Sequence, residues 1–336
     1  MMREKARRTN LILAVLVLAT VLFALLYGSY DISFTEVMKT LATGGDASQH
    51  LAIWGIRLPR ALVAAFVGAA LATSGCILQS VTHNPLAEPG LLGINSGATM
   101  LIVLYISLNT TDYTSVLGNN QVLTIPFVAI VGAFLAAGMI LLIARRKGKI
   151  SNNRMVLVGV GINIAFSSVT TLLQLTMSQG NYNRALTWTS GSLWGAGFLY
   201  FWMVAPLCLA VILFLLYKGK TLDVLGLGDN IATGLGVDVA KERKILLFFA
   251  VLLAAAATAV AGNISFVGLL GPHIAERIVG PVHRRKIVAS ALISAILIIV
   301  ADTLARNLFS PLEIPVGILL SIIGVPYFIY LMLKTK

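Results

Sequence analysis

The feature that most constrains this chain is a succession of long apolar runs, continuous rather than alternating, that recur from residue 11 to residue 333. A bilayer-spanning helix needs about 20 mostly apolar residues. Continuous runs argue against a membrane β-barrel, whose strands alternate. Spans fall at about 11–27, 61–81, 91–108, 122–144, 155–175, 199–217, 245–262, 264–275, 287–305 and 314–333. Of the 336 residues, 58% are hydrophobic and only 11% charged, whereas about a quarter of a soluble domain is charged. The chain therefore reads as one all-α polytopic membrane domain, residues 1–336, with about ten transmembrane helices.

The net charge of +12 gathers on one side of that membrane. With the N-terminus inside, the outer loops hold only Lys39, Arg57, Arg60, Arg184 and Arg306 of the 25 Lys and Arg residues. The positive-inside rule then puts both termini in the cytoplasm and requires an even number of spans. The basic balance answers to the lipid bilayer, with no nucleic-acid partner expected. The head MMREKARR and the run behind it read as a first spanning helix with a basic anchor, because the run is long for a signal core and no A-x-A site follows. The third span is interrupted by Gly93, Asn95, Ser96 and Gly97, and the eighth has only about 12 residues. Such segments often lie beside an aqueous path.

No Asp, Glu, Lys, Arg or His stands in the middle of a span; His273, Asp302 and Arg306 lie close to span ends. A proton-coupled carrier normally keeps an ionisable relay at membrane depth. Cys76 and Cys208 sit in apolar spans as small hydrophobes. The four histidines are scattered without zinc spacing, so no metal ligands are expected. No G-x-S-x-G elbow occurs, and Gly219-Lys220-Thr221 lacks the upstream glycine of a phosphate loop, where Phe214 stands. No catalytic residues are expected, and uphill transport would draw its energy from another polypeptide.

The fifth span carries Gly159, Asn163, Ser167, Thr170, Thr171 and Gln174 at steps that place them on one helical face. Such a stripe either lines a water-filled translocation path, with Asn163, Ser167, Thr171 and Gln174 as its polar members, or lets helices pack closely. Spacing alone leaves both open. Residues 176–198 are too polar to span and suit a partly helical outer cap with Trp188 and Trp194 at the interface.

Four ordered motifs carry a family resemblance: IRLPR at 56–60 followed by GAALATSGCILQSVTHNPLAEPGLLGINSGA at 68–98, LGLGDNIATGLG at 225–236, FVGLLGPHIAERIVG at 266–280, and ADTLARNLFSPLEIPVGILLSIIGVPYF at 301–328. Over nearly its whole length the chain resembles the permease subunits of binding-protein-dependent ABC importers for iron-siderophores, haem and cobalamin. The resemblance implies a type II ABC importer permease fold in a bacterial cell membrane. It also implies a second permease subunit, identical or paralogous, two cytoplasmic ATPase subunits, an extracytoplasmic solute-binding protein that is periplasmic or a lipoprotein, and no cofactor. A ferric siderophore, of the hydroxamate type, is the expected cargo, with haem or cobalamin as alternatives and an ion-coupled secondary transporter as the other class.

Through the resemblance, Arg57, Arg60 and Arg306 are expected to receive acidic residues of the binding protein; Asp302 and Glu313, which flank Arg306 in sequence, are expected to hold its guanidinium beforehand. The resemblance also implies that the segment 225–240 couples to the ATPase through Gly228, Ala232, Leu235 and Gly236; Asp223, Asp229 and Asp238 make it the most acidic part of a basic inner surface, which is expected to select that partner by charge. NPLAEP at 84–89 is expected to break the helix, with Asn84 and Glu88 bonding the backbone groups that the two prolines free. Glu276 stands where the family commonly has Arg, which puts in doubt a charge contact there.

Overall fold

The computed structural model describes residues 2–109, 119–146, 149–150, 152–308 and 312–334. The chain begins with α1 (Met2–Leu26), α2 (Phe34–Thr43) and α3 (Ala47–His50), then winds through a π-helical turn (Leu51–Arg57) into α4 (Leu58–Thr82). Next come α5 (Ile94–Leu108), α6 (Asn119–Ala144), a two-residue ribbon of β1 (Arg145–Arg146) and β2 (Lys149–Ile150), α7 (Asn152–Leu175) and α8 (Gln179–Ser190). The second half holds α9 (Phe198–Tyr217), α10 (Gly219–Leu225), α11 (Asp229–Gly234), α12 (Val239–Ala261), α13 (Val267–Val279), α14 (His283–Asn307) and α15 (Val316–Lys334).

Eight helical stretches among the described residues are long and apolar enough to cross a bilayer. The 15-residue α5 and 13-residue α13 are the two short members, third and eighth in chain order. We call the face that holds Met2 and Lys334 the inner face. Two elements differ from the sequence expectation. The second span begins at Ala47 rather than near residue 61 and runs unbroken to Thr82, because its first turns are partly polar and the π-wound stretch carries no hydropathy signature. The outer helix α2 lies beyond the expected spans; Ser33 and Glu36 form a capping box at its start.

The centre of the molecule is α4, enclosed by α9, α12, α13 and α14. A helix apolar on all sides belongs inside, and small residues let its neighbours come close. A Cβ on Gly68 would fall on the Ser294 carbonyl of α14, and one on Gly75 on the Gly268 carbonyl of α13. Lipid tails give helices no hydrophobic reason to associate, so such close backbone contact is what holds the bundle.

After α4 the chain turns back into the bundle. His83 ends the helix in the left-handed conformation (φ 51°), and Pro85 and Pro89 cannot continue the ladder of N–H donors. Asn84 Oδ1 accepts the Leu86 N–H at 2.9 Å. The re-entrant stretch climbs until Pro89 and Glu88 lie beside Gly268, against the carbonyl of Leu71. Leu71 is at the middle of α4, so α5 and α13 both start deep in the bundle rather than at a face.

Candidate translocation path and its two faces

At the outer face, Arg57, Arg60 and Arg306 converge where α1 ends, with only 5%, 6% and 8% of their surface exposed. Arg57 donates to the carbonyls of Leu25 (2.6 Å) and Tyr30 (2.5 Å). Arg306 donates to those of Ala24 (2.6 Å) and Tyr27 (3.1 Å). The last carbonyls of a helix have no partner of their own and form its negative pole, which two guanidinium groups satisfy. Arg60 instead holds Asp302 with two bonds, Nε to Oδ2 at 2.8 Å and Nη2 to Oδ1 at 2.9 Å, and Glu313 at 3.0 Å. The structure thus corrects the expected partnership: Asp302 and Glu313 hold Arg60, not Arg306. The sequence spacing favoured Arg306 because it stands one helical turn from Asp302, but the fork of Arg60 on the antiparallel α4 matches the carboxylate better. Arg306 Nε is buried without a partner among the described residues.

At the inner face, Gly228, Ala232, Leu235 and Gly236 lie on α11 and its flanks. Ala232 is buried and Leu235 exposed. Gly228 (φ 104°) and Gly236 (φ 82°) take backbone conformations that side chains oppose, although neither has a neighbour within 4 Å of a would-be Cβ. The three acids of this region are engaged internally. Asp223 accepts from His283, Asp229 pairs with Arg243 at 2.9 Å, and Asp238 caps α12 through the Lys241 N–H at 3.0 Å. Glu276 pairs with Lys286 on α14 at 2.5 Å, a contact that an Arg at this position would not make.

Between the faces lies a polar cleft of about 150 Å³ lined by Ser96 and Thr99 of α5, Ser167, Thr170, Thr171 and Gln174 of α7, Thr189 of α8, and Asn263. Three of the four expected path residues meet here. Asn163 does not line this cleft; its backbone packs against Gly93. Thr189 and Asn263 also line a second, wider cleft of about 610 Å³ that includes Ser190, Ser265 and Ser321 and runs along α15. Sequence reasoning missed these residues because they come from three separate elements, α8, the α12–α13 connection and α15, and none forms a periodic stripe. Neither cleft is lined by a charged side chain.

Sequence reasoning also left the interior without ionisable groups, and Glu88, 1% exposed, overturns that. It arrives on the re-entrant loop rather than on a span. Its Oε1 accepts the N–H of Phe266 at 3.0 Å, so it caps the start of α13 from across the bundle. Asn95 Nδ2 donates to the Ile264 carbonyl at 3.1 Å, tying the start of α5 to the same loop. A carboxylate at a helix N-terminus is stabilised by the free N–H groups there, so Glu88 serves architecture. Glu88→Gln keeps an accepting oxygen and should be tolerated. Glu88→Ala orphans a buried donor and should cost about 1–3 kcal/mol, read by unfolding in mixed micelles.

The model of the FecCD transport family matches residues 16–334. The chain belongs to that family. This FecCD chain is 41% identical over 340 residues to the iron(3+)-hydroxamate import system permease protein FhuG of Bacillus subtilis (strain 168), covering all of both chains. It is 39% identical over 280 residues to the Fe(3+) dicitrate transport system permease protein FecD of Escherichia coli (strain K12), covering 83% of this chain and 84% of that one. Among solved structures, one described as an inward-facing conformation of a metal-chelate type ABC transporter superposes with a TM-score of 0.81 at 27% identity, covering 98% of this chain and 99% of that one. As a FecCD permease the chain is a multi-pass transport component of an ABC importer.

Proposed function

We propose that this permease carries a ferric siderophore of the hydroxamate type inward across the bacterial cell membrane, driven by separate ATPase subunits and fed by a solute-binding protein. The observation that favours this cargo is the lining of the clefts, hydroxyls and amides in the smaller one and a mixed polar and aliphatic wall in the wider one, with no charged side chain in either, together with full-length likeness to a hydroxamate permease. Three hydroxamates carry three negative charges and balance one ferric ion, so their complex is neutral. Three catecholates leave an anion, which such a lining would have to desolvate without compensation.

In this reading the binding protein docks over Arg57, Arg60 and Arg306 on the outer face, two ATPases seat against residues 225–240, and a second permease closes the open side of the clefts along α15. An incoming carboxylate would compete with Glu313 for Arg60 and could take up the unspent Nε of Arg306. The chain itself contributes no ATP-hydrolysing step.

Reconstitution tests the whole reading. With ATPase and binding protein in proteoliposomes, a ferric trihydroxamate should accumulate on ATP addition and a ferric tricatecholate should not. Accumulation by the permease alone, or preference for the catecholate, would overturn it. Cysteines placed at Ser167, Thr171 and Gln174 should react with a water-soluble maleimide faster than one at Asn163, and equal inertness of all four would return the stripe to a packing role.

A further inference from the structure

The inner ends of α4 and α14 are joined by a chain of polar contacts that the transport reading does not use. Asp223 on α10 accepts two hydrogen bonds from His283, one from the backbone N–H at 2.8 Å and one from ring Nδ1 at 2.7 Å. Ring Nε2 lies 2.5 Å from Ser80 Oγ on α4. The order Ser, His, Asp is that of a hydrolase triad, which is recognised by the roles of its members. Ser80 does not fill the nucleophile's role: it lies within the regular helix α4 rather than on an exposed turn. The cluster is therefore a mechanical joint. Two further contacts reinforce it: His83 Nε2 bonds the Leu225 carbonyl at 2.9 Å, and Arg284 Nε donates to the Leu216 carbonyl at 3.1 Å.

The outer ends of the same two helices carry the Arg60–Asp302 pair. Ser80 stands twenty residues beyond Arg60 on α4, about 30 Å at 1.5 Å per residue, which is the thickness of the hydrocarbon core. Between the joints Gly68 lies on the Ser294 backbone, and a Cβ on Gly271 would strike the Ser294 hydroxyl. Backbones in such contact have little room to slide, and close-packed interiors transmit strain.

We propose that α4 and α14 form one strut, joined at both membrane faces, and that Asp223, His283 and Ser80 are positioning residues through which movement of the coupling segment reaches the outer arginine cluster. This rests on the importer reading above. Coupling between two sites is reciprocal, so the strut makes the nucleotide state of the ATPases change the affinity for the binding protein, and the inner joint sets the size of that change.

The test uses the full transporter in nanodiscs, with binding-protein affinity measured with and without ATP. In the parent complex the two affinities should differ by about tenfold or more, within the usual range for such coupling. Asp223→Asn and His283→Gln should bring the ratio toward one in complexes that retain the ATPase, and the double variant should be no worse than either single one. Ser80→Ala cuts the relay at α4 while leaving the Asp223–His283 contact in place, so it answers the question even if the other variants fail to assemble. An unchanged ratio in assembled Ser80→Ala or Asp223→Asn complexes would overturn the strut. A parent chain that recruits no ATPase would instead overturn the importer reading, and the strut with it.

Discussion

Replacing Arg60 with alanine should destabilise the permease by about 3–5 kcal/mol, the usual cost of stranding one member of a buried ion pair. Asp302 is 4% exposed and receives two bonds from that single guanidinium. Glu313 would lose its partner as well, but it is partly exposed and water can take over. Equilibrium unfolding in mixed micelles would read the loss, and adding Asp302→Asn should recover a large part of it, because the neutral amide removes the uncompensated charge. A full recovery by Glu313→Gln alone would contradict this account. The same geometry changes how docking has to be probed. Reversing Arg60 to Glu would set three carboxylates together and damage the fold before any partner is added. Arg306→Gln is the cleaner probe, since it leaves the Arg60 pair intact.

Alanine at Gly228 should abolish or nearly abolish transport, whereas alanine at Gly234, six residues on, should leave it unchanged. Space is not the reason, because no atom lies within 4 Å of a Cβ at either position. Gly228 has φ 104° and ψ 153°, a region that is essentially glycine's alone and costs other residues about 1–3 kcal/mol. Gly234 is the last residue of α11, where alanine improves helix propensity. Gly236 (φ 82°) should behave like Gly228 but more mildly, since left-handed backbone costs about 1–2 kcal/mol. ATP-driven uptake in proteoliposomes separates the three, and equal activity for all would remove the backbone argument.

Much of the architecture is legible in the chain because lipid imposes a simple rule: each crossing must be apolar and helical. The eight long apolar helices among the described residues, the short α5 and α13, the outer helix α8 and the break at NPLAEP all follow from it. What escaped reading depends on three-dimensional return. Glu88 lies between spans in sequence and at mid-depth in space because the chain climbs back after Pro85. Asp302 chooses Arg60 over the nearer Arg306 because α4 and α14 run antiparallel. The wide cleft gathers Thr189, Asn263 and Ser321 from separate elements. The acids around the coupling segment are equally visible in sequence, but only the fold assigns Asp223 to His283 and Asp229 to Arg243.

The π-wound stretch Leu51–Arg57 has a consequence for how the chain can tolerate insertions and deletions. A π-turn stores one surplus residue without ending the helix. Deleting a residue there would tighten the stretch to ordinary winding and swing everything upstream by about 100° about the axis. The helix beyond Leu58 would stay in register with the core, so Arg60 would keep its place while Trp54 and α3 pointed elsewhere. Length changes at this point redecorate the outer rim, and their cost falls on the seat of α1, whose last carbonyls Arg57 and Arg306 hold, while the α4 core keeps its register.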